Sequence, residues 1–469
     1  MQFIKKIAEH FDAMGKLEGN ATDYPVMLFI YLGIFLMCTV ASIVLYFSKY
    51  GKRIVWLPDQ HKIIKSKYSY MAMLACTFTG VYLVGSFPSE LQNTYGTWNA
   101  DLFYTIGQTS LMLIAGIYSV ATYKEKKSTV LNILSIVIGL STSIPMAVTT
   151  ILHPLNFEGI ERVMSIITVI CIVVVLAMIS IKNNLLVKYS RINILMFIIT
   201  SIALFTTITT YDNSMVDVSK ILPFQGMLNA EPWKEWLINP YWWYFEATVV
   251  SWSVFCGRFV AYCSNGYAVK DIIKYGTLSL IALTIVWHVV SAATGYTLAF
   301  SRGPVIYVLT ALTMLAFAVT SLDSATKTLV DDSVRIFKEK ESRKKSFDTD
   351  QITNTVIYVT MVLLGMINII LLVTGFPRLF TIILCLLFVP FFVRAIIYAF
   401  KFANGKVDYS LSGTITPEEF SNLIEKKAIQ GSDNEYNSVY GERTLLKSAK
   451  SYYKSEMGII LNIMEHIGV

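Results

Sequence analysis

Long apolar runs alternate with short charged segments along this chain. About 20 consecutive apolar residues are needed to cross a hydrocarbon core about 30 Å thick as a helix, and eleven runs meet that requirement. The predicted spans are residues 24–47, 69–88, 101–122, 130–152, 162–181, 191–210, 241–263, 272–299, 304–330, 352–375 and 378–400. Membrane barrels show short alternating strands instead. The expected fold class is therefore an all-α integral membrane protein with 11 transmembrane helices.

The loops between these spans differ in charge from one side to the other. Lysines and arginines cluster after the first, third and fifth spans and again between Arg335 and Lys345, whereas residues 88–101 and 211–240 carry few. The positive-inside rule places the basic loops in the cytoplasm. We expect a multi-pass protein of the plasma membrane, which is the inner membrane in a bacterium, with its C-terminus cytoplasmic and its N-terminus outside.

Composition agrees with the spans and narrows the function classes. The 469 residues are 54% hydrophobic and 15% charged, against about a quarter charged in soluble domains. The net charge of +7 comes from residues beside the spans and forms no aromatic-interleaved patch, so the lipid bilayer and not nucleic acid is the expected partner. No nucleophile and base pair, metal motif or phosphate loop is apparent, so an enzyme is not expected.

The stretch from Tyr241 to Ile273 is the most informative span. It contains clustered aromatic residues, the sequence Ser251-Trp252-Ser253, and a carboxylate at Glu246. A carboxylate inside a span costs about 3 kcal/mol on insertion scales. Glu246 therefore either binds a cationic substrate or a proton, or lies shallow enough to reach external water.

Two other spans carry polar clusters. The second contains Thr77, Phe78 and Thr79 before a glycine, and the ninth contains Thr320 and Ser321 before an aspartate. A glycine allows a helix to unwind and expose carbonyls that bind a cation, and hydroxyl oxygens add ligands. The alternatives are tight helix packing by small residues and hydroxyls bonded to their own helix.

Several of these motifs resemble one family, the betaine/carnitine/choline transporters. Ser251 to Ile272 is similar to the family's S-W-x-P-F-x-G-x-F-I-A-R-x-S-R-G-R-x-I-R-E-F, and Phe317 to Ser324 is similar to F-x-x-T-S-A-D-S. Shorter likenesses lie at 48–54, 132–144 and 189–193. The resemblance implies a LeuT-like fold of two inverted five-helix repeats with a site near the bilayer midplane.

The resemblance also implies site residues. The family's tryptophan box corresponds here to Glu246, Thr248, Val249 and Trp252, so a single ring of the cation–π cage remains. The expected substrate-binding residues are Trp252, Glu246, Thr248, Phe255, Thr77 and Phe78. The expected sodium ligands are the Thr320 and Ser321 hydroxyls with the Leu74 and Thr77 carbonyls.

The expected organisation follows from the spans and the resemblance. An external segment 1–23 precedes a transporter domain 24–401, and a cytoplasmic tail 402–469 follows it. The transporter domain consists of a leading helix 24–47, a first repeat 69–210, an amphipathic interfacial helix 215–239 and a second repeat 241–400. Thr416 and Glu419 form a capping-box pattern that predicts a helix in the tail. Relatives often form trimers through the interfacial helix, so a homotrimer is a further expectation.

The expected function is secondary active transport of a small polar or cationic organic solute by alternating access. The solute would be betaine-like, choline-like, carnitine-like or amino-acid-like, and the expected coupling ion is a cation, with sodium as the candidate. The alternative is a transporter-derived sensor or scaffold that binds without transporting and signals through the tail. Loss of most of the tryptophan box motivates this alternative.

Overall fold

A computed structural model gives the chain as an all-helical bundle, which confirms the predicted class. It describes residues 25–57, 66–79, 98–123, 129–152, 155–182, 185–211, 240–293, 303–341, 386–407 and 412–430, with a few isolated positions between them. The helices are α1 (Pro25–Phe47), α2 (Lys67–Thr79), α3 (Trp98–Ala121), α4 (Thr129–Leu152), α5 (Gly159–Lys182), α6 (Leu186–Tyr211), α7 (Pro240–Cys263), α8 (Val269–Ala293), α9 (Pro304–Glu341), α10 (Val389–Ala403) and α11 (Pro417–Gln430). Two short strands, β1 (Ile54–Val55) and β2 (Thr414–Ile415), accompany them.

Four predicted segments lie wholly or mostly outside the described residues. They are the N-terminal segment 1–23, the interfacial helix 215–239, the span 352–375 and the distal tail 431–469. Within the described part, α9 continues to Glu341, beyond the predicted end of its span.

The helices have the apolar length and the apolar outer faces of a multi-pass membrane protein. Windows in α5, α6 and α9 are long and apolar enough to cross a bilayer. Helix α5 turns Met164, Ile172 and Val175 outward with about half of each side chain exposed. Apolar faces of this extent are unfavourable in water, so they are suited to lipid.

Helix α7 lies at the centre of the bundle, where it packs against α2, α3, α4 and α9. Its crossing with α3 is close because glycines meet there. A Cβ atom at Gly257 would lie 2.5 Å from the Ala115 Cβ and 2.6 Å from the Gly116 nitrogen. Small residues allow such backbone contact between membrane helices.

The first three helices of the two predicted repeats have equivalent neighbours. The helices pair as α2 with α7, α3 with α8 and α4 with α9. Under this pairing, the contact between α2 and α8 is equivalent to the contact between α7 and α3. The contact between α4 and α7 is likewise equivalent to the contact between α9 and α2. Matched helices run in opposite directions. Tyr70 near the start of α2 bonds Ser264 just past the end of α7, and Tyr307 near the start of α9 donates to the Ile151 carbonyl near the end of α4. The arrangement is therefore an inverted repeat over these helices.

One end of the bundle is closed by a small mixed structure that the sequence did not predict. We call it the basic end and define it by residues 48–57, 264–269, 404–407, 409 and 412–416. Strand β1 pairs antiparallel with β2 of the tail, with Ile54 opposite Ile415 and Val55 opposite Thr414. On the side of β1 away from β2, Ile54 forms an isolated antiparallel β-bridge with Ala268. The tail thus packs onto the loops of the bundle.

The tail helix α11 begins as its capping box predicts. The Thr416 N–H donates to Glu419 Oε2 at 2.7 Å, and the Glu419 N–H donates to the Thr416 hydroxyl at 3.2 Å. Trp56 lies edge-on to Phe420 with ring centroids 5.6 Å apart. This contact attaches the first turn of α11 to the segment beside β1.

Candidate functional site

The predicted substrate residues fall on the two central helices α2 and α7. Trp252, Phe255, Thr77 and Phe78 are all buried, with at most 6% of any side chain exposed. Positions 246 and 248 lie in the first turns of α7, and their side chains are outside the described part of the structure.

Trp252 and Phe255 pack together against the backbone of α4. Their ring centroids are 6.4 Å apart and their planes are inclined by 25°. A Cβ atom at Gly139 of α4 would lie 2.8 Å from the Phe255 ring and 3.3 Å from the Trp252 ring. The glycine therefore allows both rings to lie directly on α4.

One turn earlier on α4, Ser135 bonds to the backbone of α7 beside Trp252. The Phe255 N–H donates to the Ser135 hydroxyl at 3.0 Å, and that hydroxyl donates to the Ser251 carbonyl. In a regular helix these two backbone groups pair with each other. A side chain from α4 therefore bonds to both members of this backbone pair of α7.

The last described turn of α2 also bonds to side chains of its neighbours. Gln108 Nε2 of α3 donates to the Phe78 carbonyl at 3.0 Å, and the Cys256 thiol of α7 lies 3.5 Å from the Thr77 carbonyl. The Thr77 hydroxyl is bonded to its own helix, at the Met73 carbonyl. The carbonyls of α2 and not this hydroxyl are thus the groups directed toward α3 and α7.

Phe78 occupies a different side of α2 from the Trp252 cluster. A Cβ atom at Gly276 of α8 would lie 3.0 Å from the Phe78 ring and 2.9 Å from Leu113 of α3. Phe78 therefore fills the space between α8 and α3. The structure brings Trp252 and Phe255 together on α4 and directs Phe78 toward α8.

The register of α7 separates positions 246 and 248, two of the three box positions that precede Trp252. At 100° per residue in a regular helix, position 248 lies on the same face as Trp252, one turn earlier. Position 246 lies about 120° around the helix, on the face that carries Gly257 and crosses α3.

The predicted cation ligands lie on α9 and α2. Thr320 and Ser321 are 2% and 7% exposed, and Leu74 is fully buried. The Thr320 hydroxyl donates to the Phe317 carbonyl at 2.9 Å and accepts a hydrogen bond from Asn193 Nδ2 of α6 at 3.0 Å. The Asn193 amide occupies one of the two lone pairs of this oxygen, so a cation there would bind through the other or displace the amide.

A buried acid and a half-buried base follow on α9. Asp323 is 1% exposed and accepts a hydrogen bond from the Ser180 hydroxyl of α5. Lys327, one turn later, interacts electrostatically with Asp323, and its ammonium lies 4.9 Å from the centre of the Tyr262 ring of α7. These contacts join α5, α9 and α7 near the basic end.

Sequence reasoning did not assign roles to several residues that form the site. Gly139, Ser135, Asn193 and Cys256 lay within family-like motifs, and that position was the one available signal for them. Gln108 carried no such signal, because a single polar side chain within an apolar run does not reveal which neighbouring helix it bonds.

Comparisons with known proteins assign neither a family nor a function to this chain. No family model matches the chain, and no curated protein matches it. Among solved structures, a Na⁺-coupled sialic acid symporter in a substrate-bound outward-open state is similar over 74% of this chain and 82% of its own, with 13% identity and a TM-score of 0.44. That similarity is too low to assign a function or a substrate.

Proposed function

We propose that the chain is a cation-coupled secondary active transporter of a small polar or cationic organic solute, working by alternating access. It is a divergent relative of the betaine/carnitine/choline transporters, set in the plasma membrane with its basic end in the cytoplasm. Assembly as a homotrimer through residues 215–239 is part of the same proposal.

One observation carries this proposal. The backbones of α2 and α7, matched helices of the inverted repeat, both bond to side chains of neighbouring helices near Trp252, through Gln108, Cys256 and Ser135. Inside a membrane, backbone groups that bond outside their own helix occur where protein or a water-lined cavity surrounds them. In transporters of inverted-repeat design, such irregular helix segments form the substrate and ion sites.

The side chains on α7 limit the substrate class. Trp252 offers one aromatic face, which contributes about 0.5 to 2 kcal/mol to binding a desolvated cation. Thr248 and Phe255 share its side of α7, and Thr77 supplies a carbonyl from α2. A single ring favours a small polar or ammonium solute over a bulky trimethylammonium compound. Glu246, six residues before Trp252 on α7, belongs to the proposal as a carboxylate that binds a cationic solute or a proton.

Uptake into proteoliposomes tests the proposal. Betaine, choline, carnitine, amino acids and polyamines would be supplied with a sodium gradient, a proton gradient or neither. We expect concentrative uptake of one class that requires a cation gradient. Trp252→Ala should lower it about tenfold or more, while Phe47→Ala, at an 80% exposed position on α1, should leave it unchanged. Absence of flux for every solute would count against transport.

The packing of the tail favours one second candidate, a ligand sensor that does not transport. Residues 412–416 bond directly to the segment beside the α7–α8 loop, so a ligand near Trp252 could be reported in the tail. Solute-dependent change in hydrogen exchange of residues 404–430, in protein that shows no flux, would favour the sensor.

A further inference from the structure

Aromatic side chains seal the start of α2 to the end of α7 at the basic end. The rings of Tyr70 and Tyr267 stack with centroids 3.9 Å apart and planes inclined by 13°. The Tyr70 hydroxyl lies 2.7 Å from the Ser264 hydroxyl, and Tyr275 of α8 meets both rings edge-on. Tyr70 is fully buried. We call Tyr70, Ser264 and Tyr267 the tyrosine seal.

The seal is attached through its backbone to the segment that contains β1. The Val55 N–H donates to the Tyr267 carbonyl at 2.9 Å, and the Gly266 N–H donates back to the Val55 carbonyl at 2.8 Å. Asn265 accepts a hydrogen bond from the Leu57 N–H at 2.9 Å. Residues 264–269 therefore cannot move away from α2 without breaking bonds to residues 53–57 or carrying them along.

The tail holds residues 53–57 from the other side. Arg53 donates to the Thr414 hydroxyl at 2.9 Å and to its carbonyl at 3.0 Å, and its guanidinium lies 4.9 Å from the centre of the Tyr409 ring. The Trp56 N–H donates to the Gly413 carbonyl at 2.8 Å.

The same stretch of tail is also bonded to the end of α3. The Gly413 N–H donates to the Val120 carbonyl at 2.9 Å. A continuous series of bonds therefore runs from α3 through the tail and β1 to the tyrosine seal.

We propose that tail residues 404–407, 409 and 412–416 act as a strap that holds the basic end closed. The inference rests on the proposed transport function, in which α2 and α7 must separate at this end to release solute. All bonds between the strap and residues 53–57 are made while the basic end is closed. They therefore stabilise the closed arrangement relative to one in which residues 264–269 move away from α2. Any ligand or protein that binds the strap more tightly when it is released would open the seal by the same coupling.

Buried thiols provide a readout that needs no solute. Cys263 of α7 is buried next to Ser264 of the seal, and Cys256 is buried two turns earlier in the same helix, with at most 3% of either side chain exposed. Full-length protein in lipid nanodiscs would be alkylated with a small maleimide, and modification of each cysteine would be followed by mass spectrometry. Hydrogen exchange of residues 264–269 and 412–416 would be measured on the same samples.

Arg53→Ala is the primary variant, because it removes two hydrogen bonds and the ring contact without adding bulk. We expect alkylation of Cys263 and exchange of residues 264–269 to rise at least about fivefold. Lys52→Ala, an exposed basic neighbour in the same turn, is the matched control and should resemble the unchanged protein.

A second variant reaches the strap from its own side. A Cβ atom at Gly413 would lie 2.5 Å from Leu57 and 3.1 Å from Tyr123, so Gly413→Val should displace the strap and reproduce the effect of Arg53→Ala. The proposal is overturned if either variant raises exchange of residues 412–416 while the seal and the thiols stay protected. It is also overturned if neither variant releases the strap. Because no solute is involved, opening of the seal in protein without flux would support the strap and count only against transport.

Discussion

The side-chain amide of Asn193 on α6 donates to the hydroxyl of Thr320 on α9 at 3.0 Å and to the Ala316 carbonyl at 3.0 Å. The two helices are therefore joined by an amide at the oxygen predicted to bind sodium. Because the Thr320 hydroxyl also donates to its own helix, its bonding capacity is largely used.

We expect Asn193→Ala to free the Thr320 oxygen and increase sodium binding. The measurement is the rise in melting temperature on replacing potassium chloride by sodium chloride, since a ligand that binds the folded state raises its stability. The control is Thr200→Val, which removes a different α6–α9 contact, the 2.8 Å bond to Thr313. A sodium response that is unchanged in Asn193→Ala would contradict a cation site at Thr320.

Gly257→Val should destabilise the bundle strongly. The new side chain would meet the Ala115 and Gly116 backbone within 2.6 Å, and overpacking against backbone costs about 3 kcal/mol. Thermal unfolding in detergent would show a lower midpoint and lower yield. Gly33→Ala is the matched control, because nothing lies within 4 Å of its added Cβ atom. Equal midpoints for the two variants would mean that the α3–α7 crossing is looser than described.

Ser135→Ala should lower the free energy of unfolding by more than the same substitution at an equally buried serine that bonds only to its own helix. It removes the hydroxyl between the Ser251 carbonyl and the Phe255 N–H, and an unsatisfied buried group costs about 1 to 3 kcal/mol. Ser253 on α7 bonds the Val249 carbonyl of its own helix, so Ser253→Ala should cost less. Chemical denaturation of both variants, with tryptophan fluorescence as the probe, measures the difference. Equal losses of unfolding free energy in the two variants would contradict a special role for Ser135 in joining α4 to α7.

The start of α11 should loosen in acid. Hydrogen bonding from the Thr416 N–H lowers the pKa of Glu419 below its ordinary value, and Arg53 contributes in the same direction. Because the folded-state pKa is lowered, ionised Glu419 stabilises the helix at pH values above its ordinary pKa, and this contribution is lost as the pH falls through the lowered pKa. Hydrogen exchange at residues 417–420, normalised to the neighbouring variant Glu418→Gln, should show reduced protection there. Unchanged protection in acid would indicate that the cap does not depend on the charge.

The sequence predicted the elements whose signal is local. Apolar runs predicted the helices, because each span must satisfy its backbone and contact lipid within one segment. The capping box at Thr416 was equally local, since its two partners are three residues apart. The aromatic and small residues of α7 identified the central helix for the same reason.

Contacts between distant segments could not be predicted in this way. Strands β1 and β2 have two residues each, too short to show the alternation that identifies a strand. Asn193 and Thr320 lie in different helices, and nothing in either apolar run indicates which faces meet. The strained approach at Gly257 likewise depends on the crossing of two helices and not on either sequence alone.

The pairing of β1 with β2 has a consequence for biosynthesis. Arg53 and Thr414 are 361 residues apart, and a chain grows from its N-terminus, so β1 emerges long before its partner exists. During that interval its backbone groups form an open edge of the kind that other strands can join. Closing so long a loop is slow, and the basic end is therefore among the last parts of the protein to reach its final structure.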